Sequence, residues 1–197
     1  MLSVLHVSHF FQFDQSIQWA VGGLERLTEP LPPSKRLWVS RKYQVQHWIL
    51  PAVDDIIEHI EEGKKIRLLT RDDIHLIGVD AYALIVNALE RMQVLRISVS
   101  LVPPKVQHAG VCQHNQTCRE NWERVWITRM PSILLSPNSY TFLASLPVIL
   151  QRIAFSHVPA ACKALTLEVI EQLDSIILAE RSIKDSVATS IWDIYKH

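Results

Sequence analysis

His108-Ala-Gly-Val-Cys112-Gln-His114-Asn-Gln-Thr-Cys118-Arg-Glu-Asn-Trp122-Glu-Arg-Val-Trp126 is the stretch on which the reading of this 197-residue chain turns. Within it fall two of the three cysteines, two of the nine histidines and two of the six tryptophans. Pro103-Pro104, just before it, stops any regular element. Its polar half, 107–118, reads as a loop. The second half opens a helix in which Trp122, Val125, Trp126, Met130, Ile133 and Leu134 recur at helical spacing to about residue 135, with Pro131 as a kink and Ser136-Pro137-Asn138 as the close. The stretch is therefore the expected hinge between two helical halves, 1–102 and 103–197, either separate or fused into one domain.

Upstream, residues 4–12 are short and apolar, and Asp14 is placed to cap a helix carrying Ile17, Ala20, Val21, Leu24 and Leu27. Gly22-Gly23 inside that helix implies close packing against a neighbour. After the break at Glu29-Pro-Leu-Pro32-Pro33-Ser34, a helix over about 33–43 carries Leu37, Trp38 and Tyr43. Gln46 to Ile60 forms the next, with Trp48, Ile49, Ala52, Val53, Ile56, Ile57 and Ile60 on one stripe and Pro51 inside or at a kink; Gly63 stops it. Thr70 with Asp73 three residues on has capping-box spacing for a short helix ending at Gly78. A long helix over about 80–100 follows, although its tail, from Leu95, alternates in the strand period.

Downstream, a helix over 139–153 contains Pro147, and Ser156-His157-Val158-Pro159 is a turn. Residues 160–195 form two helices or one bent helix, with a stripe of Leu165, Val169, Leu173, Ile176, Ile177, Ile183, Val187, Ile191 and Ile194. The expected fold is all-α, a bundle of roughly eight to ten helices in two packed halves.

Composition narrows the function classes. Lys+Arg and Asp+Glu balance at 20 each, so no net field draws the chain to nucleic acid or an anionic membrane. No apolar run reaches the ~18 residues a membrane span needs. The N-terminus lacks a basic leader and a small-residue cleavage site, and three cysteines form no disulfide framework; the expected setting is intracellular, cytoplasm or nucleus. Asn115-Gln116-Thr117 is then a chance sequon. The acidic run Asp54, Asp55, Glu58, Glu61, Glu62 is followed at once by Lys64, Lys65 and Arg67, which suits a charged surface better than acid–base chemistry. Lys35, Arg36, Arg41 and Lys42 read as a solvated helix face. There is no glycine-rich phosphate loop and no nucleophile signature around either cysteine.

Several local patterns occur together in order: Phe10-Phe11-Gln-Phe-Asp14; Leu37-Trp-Val-Ser-Arg41-Lys42-Tyr43, followed by Trp48 and Pro51-Ala52; Leu68-Leu69-Thr70 with an aspartate pair and Gly78; Cys118, Trp122 and Trp126; Leu134-Leu-Ser-Pro137; and Cys162-Lys-Ala-Leu-Thr-Leu167. This order resembles the helical region that follows the BTB (POZ) domain in a large group of mushroom-type fungal proteins, and the first half is similar to the BACK-type extension of BTB adaptors. The likeness runs from about Leu5 onward. The BTB domain itself has no counterpart in these residues, so BTB dimerisation and cullin binding are not carried over.

The resemblance implies a structural zinc ion. Members of that group carry a Cys-x5-Cys pair before the Trp-x3-Trp helix and a second, close cysteine pair before the Leu-Thr helix. Here Cys112, Cys118 and Cys162 are kept, and His157 stands near the missing fourth thiol, around Val158-Pro159, with His108 and His114 as other options. Read without the family, Cys112 and Cys118 are loop residues with Cys162 as a small hydrophobe; a Cys112–Cys118 disulfide is a third reading, disfavoured inside a cell. Trp122 and Trp126 read as core rather than as a ligand cage. The expectation is a non-catalytic module that binds a protein partner. Its competitors are a cysteine- or metal-dependent hydrolase built on the same cluster, and a shortened relative acting as a decoy partner.

Overall fold

A computed structural model describes residues 1–27, 31–61, 69–136, 143–172 and 174–196, without the side chains of 58–61, 144 and 171–177. Expectations resting on Glu29-Pro30, Gly63, Lys64, Lys65, Arg67, Pro137-Asn138 and Leu173, or on the side chains of Glu58, Ile60, Glu61, Ile176 and Ile177, lie outside the described residues. Among those described the chain is all-α: ten α-helices and two 3-10 turns, with no strand. They group into two compact units, one from residues 1–57, 68–85 and 187–197, the other from 58–67 and 86–186. The sequence boundary at 102/103 falls inside the second unit.

In the first unit α1 (Leu2–Phe10) and α2 (Asp14–Glu25) form a hairpin that turns at Gln12, φ 58°. Asp14 does not cap α2. Phe13 holds the N-cap position and no side chain caps it; Asp14 sits in the first turn, where its charge faces the positive end of the helix. The two glycines divide: a Cβ on Gly23 would lie 2.8 Å from the Met1 side chain, whereas Gly22 faces open space. α3 (Pro33–Tyr43) starts with Pro33 in its first turn and ends at Gln44 in the left-handed region. Of its basic residues Lys35, Arg41 and Lys42 are exposed, but Arg36 is half-buried and donates to Asp55.

The helix expected over 46–60 is two pieces, a 3-10 turn (Gln46–Trp48) and α4 (Ile49–Glu61). Pro51 thus falls in the first turn of α4, where a backbone N–H has no helical partner and its absence costs nothing. Trp48, Ile49, Ala52, Val53, Ile56 and Ile57 are buried as the stripe requires. The capping box of α5 (Arg71–Ile77) is present: Asp73 N–H donates to Thr70 Oγ1 at 3.2 Å and Thr70 N–H to the Asp73 carboxylate at 2.9 Å. Gly78, at φ 91°, ends α5 and leads straight into α6 (Val79–Leu101).

Residues 95–101 are helical despite their alternation, because the buried positions Arg96, Val99 and Ser100 follow helical spacing. Two of the three are polar, which is what hides the face. Arg96 donates to Glu180 Oε1 at 3.3 Å, and Glu180 Oε2 accepts from Leu143 N–H. The remainder of the second unit is α7 (Asn115–Leu134), a 3-10 turn (Leu143–Ser145), α8 (Leu146–Arg152), α9 (Ala160–Gln172) and the first part of α10 (Asp174–Tyr195). α7 starts seven residues before Trp122, so Cys118 belongs to a helix and not to the loop. Of the helix expected over 139–153, residues 139–142 lie outside the described residues, 143–145 form the 3-10 turn, and Pro147 falls in the first turn of α8. On α9 the inward face is Cys162, Thr166, Leu167 and Ile170; Leu165 and Val169 point out. Along α10, Ile183, Val187 and Ile191 are buried, while Ile194 is exposed and Tyr195 buried in its stead.

Candidate metal centre

The second unit is organised around Trp122 and Trp126, one turn apart on α7 and both fully enclosed. Trp122 stacks on Phe155 with ring centroids 4.2 Å apart and planes 12° from parallel. Its indole N–H donates to the Pro104 carbonyl at 3.0 Å, and that of Trp126 to the Val99 carbonyl at 3.1 Å. The pair is core, as the sequence suggests, and it ties the chain on both sides of Pro103 to α7. Lys163 closes the end of α8, donating to the carbonyls of Gln151 and Ile153 with its ammonium over the Phe155 ring. Burial holds the Lys163 pKa below its ordinary value.

This frame fixes the segment between α6 and α7. Val106 is buried, Gln107 N–H donates to Thr166 Oγ1 at 2.9 Å, and Ala109 N–H donates to Cys162 Sγ at 3.4 Å. α9 therefore presents Cys162 and Thr166, four residues apart, to one extended stretch of loop. A turn follows in which Cys112 N–H donates to the Ala109 carbonyl at 2.8 Å, folding the Cys112 thiol back to 3.7 Å from His108 Nδ1. Three residues beyond Cys112 the helix α7 begins, and its first turn carries Cys118 inward.

The outcome is a quartet: one ring nitrogen of His108 and the sulfurs of Cys112, Cys118 and Cys162 all lie within 4.8 Å of one another. Cys118 and Cys162 are buried; Cys112 and His108 are half-buried. In a tetrahedral zinc site with ~2.3 Å Zn–S bonds, neighbouring sulfurs are about 3.8 Å apart. Contraction by about 1 Å at the widest pair, within reach of side-chain rotation, brings this set to that geometry. All three cysteines are free thiols. Burial first, and then the neighbouring Cys162 and Cys112, push the Cys118 thiol up to about 12. Three sulfurs this close cannot all be thiolates without a cation among them, and a divalent ion reverses the balance by taking the thiolate form outright. The set can hold a metal ion.

Of the residues expected from sequence, Cys112, Cys118 and Cys162 come together, and His157 does not join them. His157 stands exposed in the turn before α9, with φ +61°, on the wall of a cavity of about 360 Å³ that is also lined by Cys112, Cys118 and His114. Its nearness to Cys162 in sequence misleads because Cys162, in the first turn of α9, faces the 106–112 loop. The signal for His108 was its spacing: four residues before Cys112, it flanks a single turn that folds both side chains to one side.

The chain matches no family model, and no curated protein or solved structure is similar to it.

Proposed function

We propose that this chain is a non-catalytic protein-interaction module of the post-BTB, BACK-like kind, whose second unit is clasped by one structural zinc ion on His108, Cys112, Cys118 and Cys162. The observation that carries the metal half is the convergence of those four donor atoms from a loop and two helices. Three sulfurs and one imidazole suit zinc, and four protein ligands leave a tetrahedral ion no open position for substrate. A hydrolase built on Cys118 would need a lowered thiol pKa, and burial moves this one the other way. The interaction half rests on the sequence resemblance and on the uncharged run from Met1 to Phe13, where Val7, Phe10, Phe11 and Phe13 are all more than half exposed.

Metal analysis of the native protein tests the zinc. About one equivalent per chain is expected, falling together with the melting temperature in Cys118→Ser. A metal-free chain whose melt is indifferent to that substitution removes the ion. For the interaction, Phe10→Ser/Phe11→Ser should release whatever protein copurifies with the wild-type chain. An inert wild-type monomer that captures nothing counts against it.

A further inference from the structure

We propose that the metal centre is a peroxide-sensitive clasp, in which Cys112 and Cys118 are the pair that oxidises and the zinc is the species released. The inference rests on the zinc reading above and adds its regulation.

The four ligands are not equally placed. Cys112 and Cys118 both line the 360 Å³ cavity, and Cys162 and His108 do not. Cys112 is half-buried and sits in a turn, beside Val111, which is 77% exposed. Cys162 is wholly buried in α9, and its sulfur already accepts the Ala109 N–H. A small oxidant entering from solvent therefore meets Cys112 first. The next sulfur on the same wall is Cys118, and all the sulfurs lie within 4.8 Å of one another. Cys112 can approach Cys118 because it belongs to a turn rather than a helix; Cys162 is held by its helix and by the bond from Ala109.

The chemistry is that of a zinc-bound thiolate with a hydroperoxide. The Cys112 thiolate attacks one peroxide oxygen and the O–O bond breaks, leaving a sulfenic acid on Cys112 and a hydroxide that takes a proton to become water. The Cys118 thiolate then attacks the Cys112 sulfur; the S–S bond forms as the S–O bond breaks, and the second hydroxide also leaves as water. Two thiolates lose two electrons, and one hydrogen peroxide with two protons becomes two waters. Zinc is left with Cys162 and His108 alone and passes into solution. The 105–114 segment then keeps its bonds from Gln107 and Ala109 to α9 but loses the link through the ion.

Trypsin makes the pair readable, because cleavage after Lys105 and Arg119 places Cys112 and Cys118 in one peptide and cleavage after Lys163 places Cys162 in another. Zinc is measured first on the reduced, full-length protein. Hydrogen peroxide is then added with a zinc-responsive dye, and the digest is alkylated without reductant. The expected result is loss of one zinc per chain, a 106–119 peptide two hydrogens lighter that resists alkylation, and a Cys162 peptide that alkylates fully; dithiothreitol with added zinc restores the starting state. Zinc that stays bound, a disulfide involving Cys162, or a sulfinic or sulfonic Cys112 with no disulfide each overturns the proposal. A reduced protein that holds no zinc from the start sinks the metal reading instead, and does so before any peroxide is added.

Discussion

Replacing Trp122 by alanine should cost the second unit about 4–5 kcal/mol, which is a large part of what a domain of this size has. The side chain is fully enclosed, so truncation at Cβ strips roughly 150 Å² of buried apolar surface, worth about 4 kcal/mol at ~25 cal/mol per Å². The stacked contact with Phe155 and the bond to the Pro104 carbonyl go with it, each worth about 1 kcal/mol, and partial collapse of the cavity returns some of the loss. Trp122→Phe keeps a flat ring against Phe155 and should cost only about 1–2 kcal/mol. Urea unfolding followed by far-UV circular dichroism reads both: the alanine midpoint should fall by about 1.5 M at an unchanged slope, and the phenylalanine midpoint by less than about half of that. Should the two units unfold in separate transitions, only one should move. An alanine variant within about 0.3 M of wild type, or a phenylalanine variant as damaged as alanine, refutes the claim that this ring organises the unit.

Three smaller perturbations follow. Thr70→Ala removes the side-chain half of the α5 capping box and should cost about 1 kcal/mol in urea unfolding, with Thr70→Ser recovering most of it. Tyr195 donates its buried phenol to the Ile77 carbonyl at 2.8 Å, so Tyr195→Phe should cost about 1 kcal/mol. Burial raises that phenol from its ordinary 10.0 to about 12, so its contribution is whole below pH 10 and is lost as pH rises through 12; wild type should lose its advantage over the variant in alkali and nowhere else. Glu25 accepts the Trp48 indole N–H at 2.7 Å and pairs with His47 at 2.9 Å, and these two partners hold its carboxyl below the ordinary 4.5. That stabilisation is present above 4.5 and lost as pH falls through the lowered value, so melting temperatures of Glu25→Gln across pH 2–5 should fall less steeply than those of wild type.

How far the sequence reveals this molecule depends on what lies on each buried face. The helices around Pro33 and Thr70 were legible because apolar spacing and a local start signal agree there, whereas the Trp122 helix showed by spacing alone and starts at Asn115, inside the segment read as loop. The tail of α6 reads as helix although it alternates in the strand period; its inward face is hard to see because it includes Ser100 and Arg96, whose partner Glu180 is distant in sequence. α9 was placed with the wrong face inward for the same reason: Cys162 and Thr166 mark it, and a pattern search weighs Leu165 and Val169 above them. The three cysteines of the centre were recognisable. Their histidine neighbour was legible only as an option, because nearness in sequence favoured His157, and only the turn at 109–112 shows that His108 folds back onto Cys112.

That turn also bears on what a metal ion would do here. In small zinc modules the ion replaces a core, and removing it unfolds the chain. The second unit has a core of its own, with Trp122, Trp126, Met130, Leu150, Phe155 and Ile170 in one cluster that also takes in Cys118 and Cys162. The loop is already positioned by backbone bonds to Thr166 and Cys162, so much of the entropy of ordering it is met before an ion arrives. The binding energy of an ion at such a preformed site would go into holding the 105–114 segment and the start of α7 against α9 rather than into making helices. Chelation should accordingly leave the helical content nearly unchanged while exposing Cys112 and Cys118 to alkylation. That response separates a clasp from a folding nucleus, and it is the condition under which reversible loss of the ion can change a surface without destroying the protein.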